Sequence, residues 1–355
     1  MSRFFMEKEI FETGFVFEKI VSKYIVNNNI DFGFEIENSK NINKLIFIAS
    51  GSSFNGCQIA GKYLKDSFNL DYECYYSSEF ILSKPKIFKD NDILYIFASQ
   101  SGETADTFNA LSYVKKFTDK IFAFVNNDNS SIYNMAKYKL NTLAGIEKSI
   151  ASTKAFCAQI FCLMLFGYKL KNEFNEDLLK IPNAIKMFLK DYKEKKNNIK
   201  SEIQKLSSIL KNASSVVFLG SQNDINIANE AALKLSETSY ICSNAFTYGE
   251  FLHGHLAVLN KNVPILAMTS QYFKDFEFKC LDKIKKQYPN VQIIQMTTYG
   301  YFYNSASYKF VYNNFDLKIC EIFIKLIIIQ LFAFKISFDL KHNVDNPNGL
   351  SKIVR

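Results

Sequence analysis

Two stretches of this chain match each other at one constant spacing, and that constrains its fold more than any other feature. Leu45 falls on Val216, Glu79-Phe80 on Glu250-Phe251 and Ser99-Gln100 on Ser270-Gln271, each pair 171 residues apart with no gap between them. Three coincidences in one register point to a duplicated domain. Within each copy, apolar runs of strand length alternate with helical stretches. LIFIAS (45–50), ILYIFA (93–98) and IFAFV (121–125) in the first half are answered by VVFLG (216–220), PILAM (264–268) and VQIIQM (291–296) in the second. Unbroken apolar strands between helices indicate an α/β chain with parallel sheets covered on both faces. The charged stretch near 190–205 places the boundary. The expected domains are 1–195, which includes an N-terminal segment, and 196–340, followed by a tail at 341–355.

A length of 355 residues accommodates two such domains at roughly 150 residues each. Hydrophobic residues at 48% against 22% charged exclude a disordered chain. The net charge of +8 suits an anionic ligand, yet it is scattered rather than gathered into the runs a nucleic-acid binder uses. KDYKEKKNNIK (190–200) mixes in acids and reads as a solvated helix or linker. Seven cysteines without a CxxC pair fit buried thiols in a reducing compartment. MSRFFMEKEIFETG has acids where a signal peptide needs an apolar run. AFCAQIFCLMLFGYKL (155–170) is too short to span a bilayer, and 317–340 carries Lys318, Glu321, Lys325 and Lys335. Both read as helices buried on most sides, and the protein is expected to be soluble and cytoplasmic, with no membrane or nucleic-acid partner.

In open parallel sheets, ligands bind beyond the carboxyl ends of the strands. Two loops there are rich in small hydroxyl residues: Ser50-Gly51-Ser52-Ser53-Phe54-Asn55-Gly56 and Ser99-Gln100-Ser101-Gly102-Glu103-Thr104. Glycine lets backbone approach a ligand, the following helix offers unbonded N–H groups, and the hydroxyls add donors. Such a nest grips phosphate without a cation, although capping of the two helices explains the same residues. Ile150-Ala151-Ser152-Thr153-Lys154 opens the first oily helix and is a third candidate. The fourth is Glu230, Lys234 and Glu237, on one helical face, followed by Gly249-Glu250-Phe251-Leu252-His253-Gly254-His255. The rival readings are a metal site at the two histidines, which lacks further ligands nearby, and surface ion pairs along the helix.

SGSSFNG, SQSGET, ASTKAF, ALKLSETSY and GEFLHG, in that order, resemble the SIS (sugar isomerase) domains, above all the isomerase half of the glutamine–fructose-6-phosphate aminotransferases. The likeness runs from FMEKEIFE near the N-terminus to DNPNGLSK near the C-terminus. It implies two tandem flavodoxin-like SIS domains with the C-terminal tail over the active site. It also implies roles for individual residues. Ser52, Ser53, Ser99, Gln100, Ser101 and Thr104 would hold the sugar phosphate, and Ile150 and Ser152 the sugar. Glu237 would move a proton between C1 and C2, with Lys234 assisting. His253 would open the ring from the neighbouring subunit of a homodimer. Lys352 would form a Schiff base with the ketose, with Ser351 beside it. Lysine imine formation followed by ammonia exchange needs no metal and no organic cofactor.

The sequence departs from the family in three places. It starts at the isomerase, with no glutaminase domain ahead of it, so ammonia is expected from solution or from a separate partner. Ser50 stands where the family has cysteine, and His255 where it has proline. The reaction implied is interconversion of fructose 6-phosphate plus ammonia with glucosamine 6-phosphate. The alternatives are a catabolic amino-sugar-phosphate deaminase or fructosamine-6-phosphate deglycase, and, from another class, a non-catalytic sugar-phosphate sensor. The ALKLSE pattern disfavours a deglycase; Glu237, His253 and Lys352 together disfavour a sensor.

Overall fold

The structure is a computed structural model and describes residues 3–90, 92–196, 198–313 and 318–353. The chain divides into two compact units. One comprises residues 11–186 with 351–355, the other residues 1–10 with 187–350. The break after residue 186 therefore falls nine residues ahead of the boundary expected after 195, and the two ends of the chain are exchanged between the units. Local contacts explain the exchange. The N–H groups of Phe5 and Met6 donate to the Asp345 carboxylate at 2.9 and 2.8 Å, and the Phe4 ring lies edge-on to Phe334 and Phe338. Lys352 is bonded to Glu147 instead, which ties the end of the tail to the first sheet's unit.

The first sheet contains β1 (Lys44–Ala49), β2 (Asp71–Tyr76), β3 (Ile93–Ser99), β4 (Ile121–Val125) and β5 (Tyr138–Asn141). The second contains β6 (Ser215–Gly220), β7 (Cys242–Thr247), β8 (Ile265–Met268), β9 (Ile293–Thr298) and β10 (Tyr308–Tyr312). Each sheet is parallel throughout, in the orders β2-β1-β3-β4-β5 and β7-β6-β8-β9-β10. This is the flavodoxin-like order. The spacing of 171 residues holds well beyond the three sequence matches: β1 maps onto β6 and β2 onto β7 residue for residue. The helices follow. α1 (Gly51–Phe68) maps onto α4 (Asn223–Ser239) within one residue at each end, and α3 (Lys154–Lys171) overlaps α6 (Lys318–Asp339), which starts seven residues earlier and ends three earlier than the spacing gives.

The six strands expected from apolar runs are the inner ones, and all are present. The four edge strands, β2, β5, β7 and β10, were not expected. DYECYY and CSNAFT are partly exposed along most of their length, so they lack the apolar run that marks an inner strand.

Alternation along the strands sends side chains to opposite faces. On one face of the first sheet, Ile46, Ile48, Tyr95, Phe97 and Val125 pack with Ala110, Leu111 and Val114 of α2 (Ala105–Lys115). On the other, Phe122 and Phe124 meet Phe166 of α3 at 4.8 and 5.6 Å between ring centroids. The second sheet repeats this plan. Val217, Leu219, Ile265 and Ile293 pack with Cys280, Leu281 and Ile284 of α5 (Lys274–Gln287), and Phe218 stacks on Phe332 of α6.

The oily helix α3 is covered on three sides within its own unit. Besides the sheet, Phe161 stacks on Phe17, and a Cβ at Gly167 would come within 2.1 Å of Leu64 on α1. Such enclosure accounts for its composition without a bilayer, and among the described residues no helix is long and apolar enough to cross one. The cysteine expectation needs one correction. Five thiols are buried and Cys74 partly so, but Cys242 is exposed because it starts the edge strand β7.

Candidate functional site

Both hydroxyl loops leave the carboxyl ends of central strands of the first sheet, and both are shaped by glycines in the left-handed region. Gly51 (φ +56°) turns β1 into α1, whose first turn carries the half-buried Ser52 and Ser53. Gly102 (φ +69°) follows β3, and a Cβ there would lie 2.0 Å from the Ser130 hydroxyl, so the loop accepts only glycine at that position. Helix capping does not account for the hydroxyls. Neither Ser50 nor Thr104, the residues preceding α1 and α2, makes a side-chain capping bond. Instead Ser99 Oγ and Thr104 Oγ1 are bonded to each other at 3.0 Å, while Ser99 Oγ accepts the Gly102 N–H at 3.1 Å. Ser101 Oγ accepts the Glu103 N–H at 3.1 Å, and the Gln100 carbonyl accepts the Asn126 N–H at 3.2 Å. Glu103 accepts from the Ser131 N–H and hydroxyl, so both of its carboxylate oxygens are bonded to Ser131.

The third candidate loop follows β5 in the same unit and contains a residue that the sequence reading missed. Glu147 has a fully buried side chain at the N-terminus of α3. Its Oε1 accepts the N–H groups of Thr153 and Ala155 at 2.9 and 3.1 Å, and Oε2 accepts the Ser152 hydroxyl at 2.9 Å. Lys352 Nζ donates to Oε2 and to the Ser149 carbonyl, both at 2.7 Å. Burial works to push the Glu147 carboxyl up; the Lys352 ammonium and the two backbone N–H groups outweigh it and hold the group below its ordinary range. Ser152 and Lys352 thus meet on one carboxylate. Ile150 is half-buried in the same loop, whereas Ser351 is exposed and its hydroxyl reaches only the Ile353 carbonyl. The available signal for Glu147 was an acid five residues ahead of Ser152; nothing local linked it to a lysine 205 positions later.

In the other unit, Lys234 lies fully buried on α4 between Glu237 at 2.6 Å and Glu230 at 3.4 Å. Burial works to lower the Lys234 pKa, but the two carboxylates prevail and hold it above the ordinary lysine value. This contact is a buried charged cluster rather than surface ion pairing. Glu237 keeps 22% of its side chain exposed, unlike its two partners in the cluster. His253 is exposed at the turn after Tyr248–Phe251, and Gly254 takes φ +105°. His255 lies with its ring 4.1 Å from Phe246, so this imidazole has an aromatic partner. Among the described residues no group of three or more His, Cys, Asp or Glu is placed to hold a metal.

The duplication allows the hydroxyl loops to be compared with their counterparts 171 residues on. Ser52, Ser53, Ser101 and Thr104 correspond to Asn223, Asp224, Tyr272 and Asp275. Asp224 is occupied by Lys325, which also reaches Glu321, at 2.7 and 3.0 Å. The Ser270 N–H, which follows β8, is taken by Glu277 at 2.9 Å. The second unit therefore fills the matching position with its own charges. Burial pushes the Glu277 carboxyl up to about 7, against the bonds from Ser270 and Ser221. A carboxyl raised in the folded state contributes stability below its unfolded value of 4.5 and loses it as pH rises towards 7. Glu277→Gln removes that titration. The variant should gain about 2–3 kcal/mol on the native protein between pH 5 and pH 8, read from urea unfolding. A difference that does not change with pH would refute the shift.

Comparison with known proteins follows the same lines. Residues 40–168 match the SIS domain family. The chain is similar to the glutamine–fructose-6-phosphate aminotransferase (isomerizing) of Campylobacter jejuni, at 30% identity over 99% of this chain and 58% of the relative. It is similar to the protein of that name from Caldanaerobacter subterraneus, at 31% over 99% and 58%. The chain thus spans somewhat over half the length of these relatives. In fold it is similar to the C-terminal domain of glucosamine–fructose-6-phosphate aminotransferase from Francisella tularensis, with a TM-score of 0.85, 24% identity and coverage of 98% and 99% of the two chains. Glucosamine-6-phosphate deaminase from Thermotoga maritima shares the fold at a TM-score of 0.76, 18% identity and 99% coverage of both chains.

Proposed function

Residues 40–168 match the SIS domain family, and from that premise we propose that the chain is a phosphosugar aminotransferase and isomerase interconverting fructose 6-phosphate plus ammonia with glucosamine 6-phosphate. One observation carries the proposal. A lysine of the C-terminal tail, a buried carboxylate and a serine turn meet in the unit that also holds both hydroxyl loops, and the serine turn and the two loops follow carboxyl ends of strands in one sheet. The names of the relatives agree with this chemistry.

In the proposed reaction, Ser52, Ser53, Ser99, Gln100, Ser101 and Thr104 hold the phosphate, with Ile150 and Ser152 against the sugar. His253 opens the ring. The Lys352 amine adds to the C2 carbonyl of the open-chain ketose and water leaves, giving an imine. Ammonia displaces the lysine, and Glu237 carries a proton from C1 to C2, with Lys234 beside it. Ammonia arrives from solution or from a separate partner, and the catalytic form is a homodimer in which His253 serves the neighbouring subunit. The same residues run the reaction towards deamination when ammonia is scarce, so both directions belong in the assay.

The phosphate assignment has its own test. Ser101→Ala and Thr104→Ala should each weaken hexose 6-phosphate binding by roughly 1–3 kcal/mol in calorimetry. The native protein should bind one equivalent per chain rather than two, because the matching loops of the second unit carry Asp224, Asp275 and Glu277. Unchanged affinity in the double variant, or two equivalent sites per chain, would move the phosphate elsewhere.

A further inference from the structure

We propose that Glu147 is the positioning residue for the imine-forming lysine: its carboxylate is a preformed dock, built into the start of α3, that holds the Lys352 amine at the Ser152 turn. This rests on the reading of Lys352 given above, and assigns to Glu147 a role that reading does not contain.

The dock is built independently of the tail. Burying a carboxylate is costly unless it is hydrogen-bonded. Glu147 meets that requirement with the Thr153 and Ala155 N–H groups, the favourable end of the α3 dipole and the Ser152 hydroxyl. These partners fix both carboxylate oxygens before any lysine arrives. Lys352 then adds its bond to Oε2, and the Ser149 carbonyl supplies a second acceptor from the same loop. Two acceptors at 2.7 Å set both the position and the direction of Nζ, although the tail at 351–353 has no helix or strand to hold it. A flexible lysine reacts with a carbonyl at a rate set by how often it is correctly placed. Glu147 replaces that search with one site, next to a serine assigned to the sugar.

The test is borohydride trapping of fructose 6-phosphate on the peptide containing Lys352, together with steady-state kinetics. Glu147→Gln keeps the shape and an acceptor for α3 but removes the charge that holds the ammonium. Trapping and kcat should fall about tenfold or more, while KM for fructose 6-phosphate and calorimetric affinity for glucose 6-phosphate stay within twofold. Glu147→Asp keeps the negative charge on the helix and withdraws the carboxylate by one methylene. It should show the same loss, and it decides the matter if the glutamine variant does not fold. Trapping at or above the native rate in either folded variant overturns the dock, as does a loss seen in KM alone. If the native protein traps no sugar on Lys352, the reading of the lysine itself fails, and that result is distinguishable from failure of the dock.

Discussion

Lys352→Arg should still bind fructose 6-phosphate and lose turnover by roughly a thousandfold or more. Arginine keeps the charge and can donate to Glu147 and to the Ser149 carbonyl, the two partners of the native amine. It stays protonated at any working pH and cannot add to a carbonyl. The separation of binding from chemistry is therefore the readout: calorimetric affinity near native, no borohydride adduct on the tail peptide, and no amino sugar formed from fructose 6-phosphate with ammonium salts. The same variant addresses the assembly. Mixed with His253→Ala subunits, it should recover part of the activity, because one hybrid site contains both an intact lysine and an intact histidine. A Lys352→Arg protein with near-native turnover would end the Schiff-base proposal. Hybrids confirmed by mass spectrometry that show no recovery would end the assignment of His253 to the neighbouring subunit.

Lys234→Met should destabilise the unit that contains it by about 3–5 kcal/mol, the usual consequence of removing one member of a buried ionic cluster. The reason lies in burial. The Lys234 and Glu230 side chains are essentially inaccessible, and the ammonium lies against both Glu230 and Glu237. Methionine fills the volume but leaves carboxylate charge in the interior without its cation. The sign with pH also follows. A lysine held above its ordinary value contributes its stability across the whole range below about 10.4, so the native protein has the full contribution at pH 7. Urea unfolding at pH 7.5 measures the effect, and a loss below about 1 kcal/mol would mean that the cluster is solvated after all.

Much of this architecture can be read from the sequence where one physical signal acts alone. Inner strands such as β4 are buried on both faces, so IFAFV is uniformly apolar and its bounds follow at once. The duplication is legible because Glu79-Phe80 and Glu250-Phe251 open the same turn after the edge strands β2 and β7. The edge strands are hidden because half-exposure leaves DYECYY and CSNAFT without a pattern. The hydroxyl loops are visible as composition, but their internal bonding is not: Ser99 and Thr104 read equally well as helix caps until their hydroxyls are seen to pair. Glu147 is the clearest omission. Its partners Ser152 and Thr153 are near in sequence, but Lys352 comes to it only through the path of the folded chain. The exchanged termini belong to the same class, since Asp345 meets Phe5 and Met6 across almost the full length of the sequence.

The internal charges of the second unit have a thermodynamic consequence. A ligand that binds only the native form stabilises it by an amount that grows with the logarithm of its concentration. If phosphate occupies only the hydroxyl loops, the fold around β1–β5 is coupled to the supply of hexose phosphate and loosens when that supply falls. The fold around β6–β10 carries Lys325, Asp224 and Glu277 at the corresponding edge, so its counter-ions are covalently part of it and their effective concentration never changes. Two copies of one architecture would then respond differently to the same cell: one has a stability indexed to metabolism, the other a stability set at synthesis. A duplicated half that supplies its own ions needs no ligand for its charge balance, which leaves other positions open to other uses, such as the buried Glu230–Lys234–Glu237 cluster on α4.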